Sequence, residues 1–371
     1  MFRHPSSKLD FTIANLAGIL LWLPLRFTQM FRSKKNLPTA AQKIVNMVKS
    51  ENIKLNMFGL PVLQTIDDIC MLTHISKYTI FQLSEHSNKF YRTYEIPKKS
   101  GKPRVISQPS KKLKGLQSWI LVDILNKLKV SNSCKGFEKN SSILDNATPH
   151  KGANTVLNLD LKDFFPTITS TQVFNVFRKI GYNTFISSIL TNITTFNGTL
   201  PQGSPCSPKL ANLTAWTLDL RLQGYVGRRG INYTRYADDL SFSGLSPAKV
   251  VNIIPKIKEI IESEKFSVND SKTRIAGAAR ARIVTGLVVS GDNIGIGAQK
   301  YKAVRAKIHQ LSLLPETDDS GKLNEVRGWL SYLNSVDKKR FLKAKEYANK
   351  LSEKYPGTLV AKLLSFKNLL T

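Results

Sequence analysis

The sequence predicts a mixed α/β (α+β) fold, and three observations carry that prediction. Short segments that alternate apolar and polar residues, bounded by Gly, Pro, Asn and Ser, occur from Tyr91 to Ile106, from Asn154 to Leu161 and from Asn232 to Ser243. This is the pattern of half-buried strands and hairpins. Around them lie longer stretches whose apolar residues recur three and four apart, and from Lys300 to the C-terminus only that helical period remains. At 371 residues with 42% hydrophobic content, the chain is long enough for two or three substructures around a sizeable core.

Charge narrows the class of partner. There are 55 Lys and Arg against 26 Asp and Glu, a formal net charge of +29. So basic a surface suits a polyanion, and nucleic acid is favoured over membrane. It does not identify an activity, because a purely structural RNA-binding protein would show the same balance. Cys70, Cys134 and Cys206 are spaced for neither a zinc motif nor a disulfide framework, which points to a reducing cytoplasm.

Taken in order, the chain first shows an apolar segment from Phe11 to Phe27, with Arg3 and Lys8 before it and Arg26, Arg32, Lys34 and Lys35 after. No Ala-x-Ala cleavage site follows, and the segment is shorter than the roughly 20 apolar residues of a spanning helix, so neither a signal peptide nor a clear membrane span is expected. It reads as a helix packing on the body or on a partner, then as a membrane-surface anchor, then as an upstream start outside the functional domain. Residues 1–56 are taken as an N-terminal extension containing this apolar helix. From Pro61 to Asn88, the positions of Leu63, Ile66, Ile69, Leu72, Ile75 and Ile80 predict a helical platform. A β-hairpin follows, with cations at its Lys-Ser-Gly-Lys turn and on its return strand. Surface lysines at a turn are usually just solvated. Arg104 lies within the return strand, where a guanidinium could hold a triphosphate bidentately. The stretch from Leu113 to Leu128 reads as a core helix.

In the next strand, alternation puts Leu157, Leu159 and Leu161 on one face and Asn158 and Asp160 on the other. Asp163 reads as a helix-start or surface residue. Phe164 and Phe165, consecutive in extended chain, should point one inward and one to the cleft. The segment from Leu200 to Leu213 is a turn-rich loop opening into a helix, with Pro, Gly and Ser allowing the backbone close to a ligand. Tyr236-Ala237-Asp238-Asp239 falls at a hairpin tip, where adjacent carboxylates repel unless a cation sits between them. A lone Asp-Asp turn is more often a polar loop. If the Asp160 strand lies beside this hairpin, however, Asp160, Asp238 and Asp239 converge to hold two Mg²⁺ ions about 4 Å apart, the arrangement of in-line phosphoryl transfer. Beyond a helix from Pro247 to Glu264, Lys272 could neutralise or protonate a departing anion, although a loop lysine is by default a solvated charge. The run from Arg280 to Ser290 leads into a strand pair closed near Gly291-Asp292-Asn293. The apolar stripes of Tyr301, Val304, Ile308 and Leu311, then Val326, Trp329, Leu330, Tyr332 and Leu333, predict a helical module that grips a duplex, or a plain helical cap.

The order of these motifs resembles the reverse transcriptases. A basic hairpin ending in Arg104 is followed by Asp160-x-x-x-Phe164-Phe165, Leu200-Pro201-Gln202-Gly203-x-x-x-Ser207-Pro208, Tyr236-x-Asp238-Asp239 and Asn269-x-x-Lys272-Thr273. Asn146-Ala147-Thr148-Pro149-His150 and Val284-Thr285-Gly286 are similar to elements of the bacterial retron branch. The resemblance covers the chain from about Pro61 to its end. It implies a right-hand polymerase with a ferredoxin-like palm, fingers and palm over 57–297, and a helical thumb over 298–371. It also implies that Asp160, Asp238 and Asp239 hold two Mg²⁺, with Mn²⁺ as a substitute. Arg104 with Lys102 would clamp the triphosphate of a dNTP, Phe165 would exclude a ribose 2′-hydroxyl, Gln202 would contact nucleotide or template, and Lys272 would assist pyrophosphate departure. Asn146, His150, Val284, Thr285 and Gly286 would serve retron RNA handling. A retron enzyme copies its own noncoding RNA (msr-msd) from a guanosine 2′-hydroxyl into branched msDNA. Trimming by a host RNase H, a separate effector protein and a role in phage defence would follow; an oligomer is left open. The alternatives are a group II intron-like or other bacterial reverse transcriptase, and a non-catalytic RNA-binding scaffold.

Overall fold

The computed structural model describes residues 52–98, 101–291, 293–318 and 321–364. The chain divides into two compact units, Met1–Met57 and Phe58–Thr371, and the fold and site lie in the second. The apolar segment from Phe11 to Phe27 falls outside the described residues. Among those that are described, no helix is long and apolar enough to cross a membrane.

The predicted helical platform consists of two helices. Ile66–Thr73 ends at His74, whose φ of 55° is left-handed, and Lys77–Glu85 restarts on Ser76, whose hydroxyl accepts from the Thr79 N–H. The hairpin forms as expected: β1 (Tyr91–Lys98) pairs antiparallel with β2 (Gly101–Pro109), Ile96 lying opposite Arg104. The stretch expected as one core helix is regular only over Lys111–Trp119. It widens into a π turn at Ile120–Ile124 and tightens into a 3₁₀ turn at Leu125–Lys127.

The central sheet consists of β3 (Thr155–Asp160), β4 (Asn232–Tyr236), β5 (Asp239–Gly244) and β6 (Arg274–Ala276). Its order is β4-β5-β3-β6, with antiparallel pairs throughout. Helix Trp216–Gly227 packs on β4, and helix Pro247–Asn252 packs on β3 and β5. The sequence predicted one polar face for β3. Every residue of β3 except Asn158 is buried, Asp160 on that polar face included. The strand is central and covered on both sides, so alternation reports neighbours rather than solvent.

Beyond the sheet, β7 (Ile283–Val284) and β8 (Leu287–Val288) form a hairpin closed by Thr285 and Gly286, at φ 44° and 82°. This turn adds to the predicted one, for the chain also bends back near Gly291 so that Val288 bridges Gly295 antiparallel. Helices Ala298–Leu311, Lys322–Val336, Lys338–Lys354 and Leu359–Leu364 complete the chain. Their core, including Val304, Ile308, Leu330, Leu333 and Phe341, is continuous with Val284, Leu287, Ala147 and Val156.

Candidate active site

The register of the sheet assembles the acidic residues. Asp160, last in β3, lies opposite Asp239, first in β5. Tyr236 pairs with Asp239, which leaves Ala237 and Asp238 as a two-residue turn. Ala237 sits at φ 59°, a left-handed conformation that costs a non-glycine residue about 1 kcal/mol. Its surroundings hold it there. The Arg235 guanidinium donates to the Ala237 carbonyl at 3.1 Å, the Leu161 N–H donates to the Asp238 carbonyl at 2.9 Å, and Gly136 packs so closely that a Cβ there would lie 2.5 Å from the Ala237 nitrogen.

Arg235 is itself fixed by a buried network that sequence reasoning missed. Its Nε and Nη2 each donate to Asp219 at 2.8 Å, its Nη1 donates to Asn212 Oδ1 at 3.0 Å, and the Tyr233 hydroxyl donates to Asp219 at 2.8 Å. Both side chains of the pair are fully buried. The available signal was an arginine inside a hairpin strand, between Thr234 and Tyr236.

Asp160 is 8% exposed, Asp238 is half-buried and Asp239 opens onto solvent at the rim. Desolvation raises the Asp238 carboxyl, and Asp160 adds to it, while Lys272 and Arg104 pull the other way. Asp239 is pushed up to about 6: enough protein surrounds its carboxyl for desolvation to lead, followed by repulsion from Asp238 and Asp160. Lys272 supplies one counter-charge. Its Nζ donates to Asp160 Oδ1 at 2.8 Å, and that bond raises the lysine's own pKa. The Asn269 N–H donates to the Asp160 carbonyl at 2.8 Å and secures the same loop. Asp238 and Asp239, each raised in part by the acids beside it, together with the Asp160 carboxylate, are the oxygen-donor chemistry of a hard divalent cation, so the residues fit one. Among the described residues, no three His, Cys, Asp or Glu side chains are yet gathered into a ligand cage.

Arg104 is exposed on β2, and its charge reaches Asp238. The side chain of Lys102 lies outside the described residues. Gln202 is half-buried, and its carbonyl accepts from the Ser107 N–H at 2.7 Å. Gly203, at φ 126°, has Ser107 O where its Cβ would come within 2.7 Å. This loop makes a close backbone approach to β2 at Ser107. Phe164 is buried and Phe165 half-buried, as expected, but for a different reason: they belong to the helical turn Phe164–Thr167, entered through Asp163 at φ 46°.

The two further elements of the resemblance meet at the hairpin. His150 is fully buried, its Nδ1 2.7 Å from Ser243 Oγ on β5 and its Nε2 2.8 Å from Thr234 Oγ1 on β4. Burial lowers it to about 4, so the ring is neutral near pH 7. Asn146 is also buried; its Nδ2 donates to Thr285 Oγ1 at 3.4 Å and its carbonyl accepts from Thr234 Oγ1 at 3.3 Å. Val284 is buried, while Thr285 and Gly286 are partly exposed.

A central antiparallel sheet with acids at one hairpin, a basic hairpin before it and helices after it define the class: a right-hand polymerase. Residues 96–309 match the reverse transcriptase (RNA-dependent DNA polymerase) family. Retron Ec86 reverse transcriptase of Escherichia coli is 48% identical over 304 residues, covering 81% of this chain and 94% of that protein. Retron Mx65 and Mx162 reverse transcriptases of Myxococcus xanthus are 33% and 32% identical, over 70% and 67% of this chain and 66% and 58% of theirs. A solved apo telomerase from Candida tropicalis, 12% identical over 74% of this chain and 64% of its own with a TM-score of 0.41, is too distant to argue from. The chain belongs to the bacterial retron reverse transcriptases and is an RNA-directed DNA polymerase.

Proposed function

We propose that this polymerase copies its cognate msr-msd noncoding RNA, starting from a guanosine 2′-hydroxyl, into branched msDNA. The observation that carries the chemistry is the register that sets Asp160 against Asp239, with Asp238 at the turn between β4 and β5. These three acids would hold two Mg²⁺, or Mn²⁺. Bound there, such ions supply positive charge for the attacking hydroxyl and the departing pyrophosphate. Arg104, with Lys102, clamps the triphosphate of the dNTP. Phe165 excludes the 2′-hydroxyl, Gln202 contacts nucleotide or template, and Lys272, already poised at Asp160, gives charge or a proton to pyrophosphate. Because Asn146, His150 and Val284 are buried, they support the retron RNA surface, and Thr285 and Gly286 are the members of that set that RNA can reach.

In this reading residues 57–297 are fingers and palm, 298–371 the thumb, and 1–56 an extension. The protein works in the cytoplasm with a separate effector in phage defence, and a host RNase H trims the RNA. The retron relatives support the product, and the net charge of +29 supports the RNA. Asp238→Asn combined with Asp239→Asn should abolish DNA synthesis while RNA binding persists, and wild-type protein should co-purify with branched DNA sensitive to RNase. Undiminished synthesis by the double variant would refute the mechanism.

A further inference from the structure

The loop at 133–138 carries an aromatic residue that the mechanism above does not use. The loop runs alongside β4: the Arg235 N–H donates to the Ser133 carbonyl at 2.8 Å, and the Lys135 N–H donates to the Arg235 carbonyl at 2.8 Å. Gly136 then abuts the backbone of the acidic turn. On both sides of Phe137 the chain is fixed by polar contacts. Asn212 Nδ2 donates to the Gly136 carbonyl at 2.8 Å and to Glu138 Oε1 at 3.0 Å, and Glu138 pairs with Lys209 at 2.6 Å, the lysine side chain 6% exposed.

Between these anchors Phe137 stands at φ 61°, and the residue is 47% exposed. A bulky residue in the left-handed region is strained, and one half in solvent returns little by burial. The loop is therefore built to present this ring, not to bury it. The ring faces the site: its centroid lies 6.1 Å from Phe165 and 6.5 Å from Tyr236. Phe165 leans in turn on the buried Phe164 at 5.7 Å. Phe137, Phe165 and Tyr236 thus make an open aromatic wall beside Asp238 and Asp239, and such faces suit the sugar and base of a nucleoside.

We infer that Phe137 is a specificity-determining residue. Its ring braces Phe165 and extends the wall toward Tyr236, so that selection of deoxynucleotides over ribonucleotides depends on it. The inference rests on the reading of Phe165 as the ring that excludes the 2′-hydroxyl.

The test uses the full chain with its RNA and measures kcat/KM for dNTP and rNTP incorporation in Phe137→Ala, Phe137→Leu, Phe137→Gly, Phe165→Ala and the Phe137→Ala/Phe165→Ala pair. Phe137→Ala should lower dNTP selectivity roughly 2- to 10-fold, the worth of an aromatic pair. Phe137→Leu should restore most of it, and the double variant should be no less selective than Phe165→Ala alone, since one residue acts through the other. Phe137→Gly should lose selectivity as Phe137→Ala does while melting about 2 °C higher, because glycine tolerates the left-handed backbone. That pairing separates loss of the ring from loss of the fold. Selectivity relaxed by Phe165→Ala but unchanged by Phe137→Ala would overturn the inference and leave the Phe165 reading intact. Selectivity unchanged in both single variants would overturn the Phe165 reading, and the inference with it. Wild-type selectivity in Phe137→Gly would also overturn it.

Discussion

Replacing Asp219 by Asn should be among the most damaging single changes outside the three acids, although it leaves every cleft residue in place. The substitution keeps shape but removes the charge that faces the Arg235 guanidinium through two 2.8 Å hydrogen bonds. Both partners are fully buried, so no water can take over. Removing one member of such a pair costs about 3–5 kcal/mol, a large part of a typical stability of about 5–15 kcal/mol. In a thermal melt of a chain this long, this should appear as a fall of about 5 °C. A second variant separates the two jobs of the pair. Asp219→Leu with Arg235→Met replaces the ions by apolar groups and should melt within a few degrees of wild type, roughly, because the desolvation cost disappears with the charges. Its DNA synthesis should nonetheless stay about tenfold down, because the charged hydrogen bond holding the Ala237 carbonyl in its left-handed turn, about 1.5–3 kcal/mol, is gone. Primer extension on purified protein provides the measurement. Full activity in the double variant would show that the turn does not need the clamp, and an unshifted melt for Asp219→Asn would show that the charge is not held where the structure puts it.

Two further expectations concern titration and charge. His150 is held at about 4 against an ordinary value of 6.5, so its contribution to stability is complete above 6.5 and is lost as pH falls through 4. The full loss is about 3 kcal/mol, about 2 of it between pH 7 and 5. Denaturation of His150→Gln across that interval should show a correspondingly flatter dependence, and identical slopes would refute the assignment. Lys272→Ala breaks a half-exposed ion pair and should change stability by less than about 1 kcal/mol. It should slow single-turnover incorporation by about 10²-fold if the ammonium serves as a general acid, and an unchanged rate would remove it from the chemistry.

What could be read in advance was whatever the chain writes locally. The hairpin of β4 and β5 shows its alternation and its turn within a dozen residues, and β1 and β2 do likewise. Helix breaks were less visible. The π turn after Trp119 contains no Pro or Gly, and His74 adopts its left-handed capping conformation without a sequence signal as strong as glycine. The polar interior was hidden for another reason. Asp219 is a plain acidic residue on a helix until Trp216–Gly227 is laid against β4, which places it beneath Arg235. His150 likewise reads as one more histidine until Thr234 and Ser243, more than eighty positions away, close on its two nitrogens. Long-range packing decides such partners, and periodicity does not encode it. Phe137 combined both difficulties, since neither its backbone strain nor its neighbours are local.

The hydrophobic core of the last four helices does not stop at their own boundary. It passes through Val284 and Leu287 to Ala147 and on to Val156, which belongs to the same strand as Asp160. The packing of those helices and the placing of the first acid therefore share one core. Removing those helices would expose Val156 and the back of the Val284 hairpin to solvent.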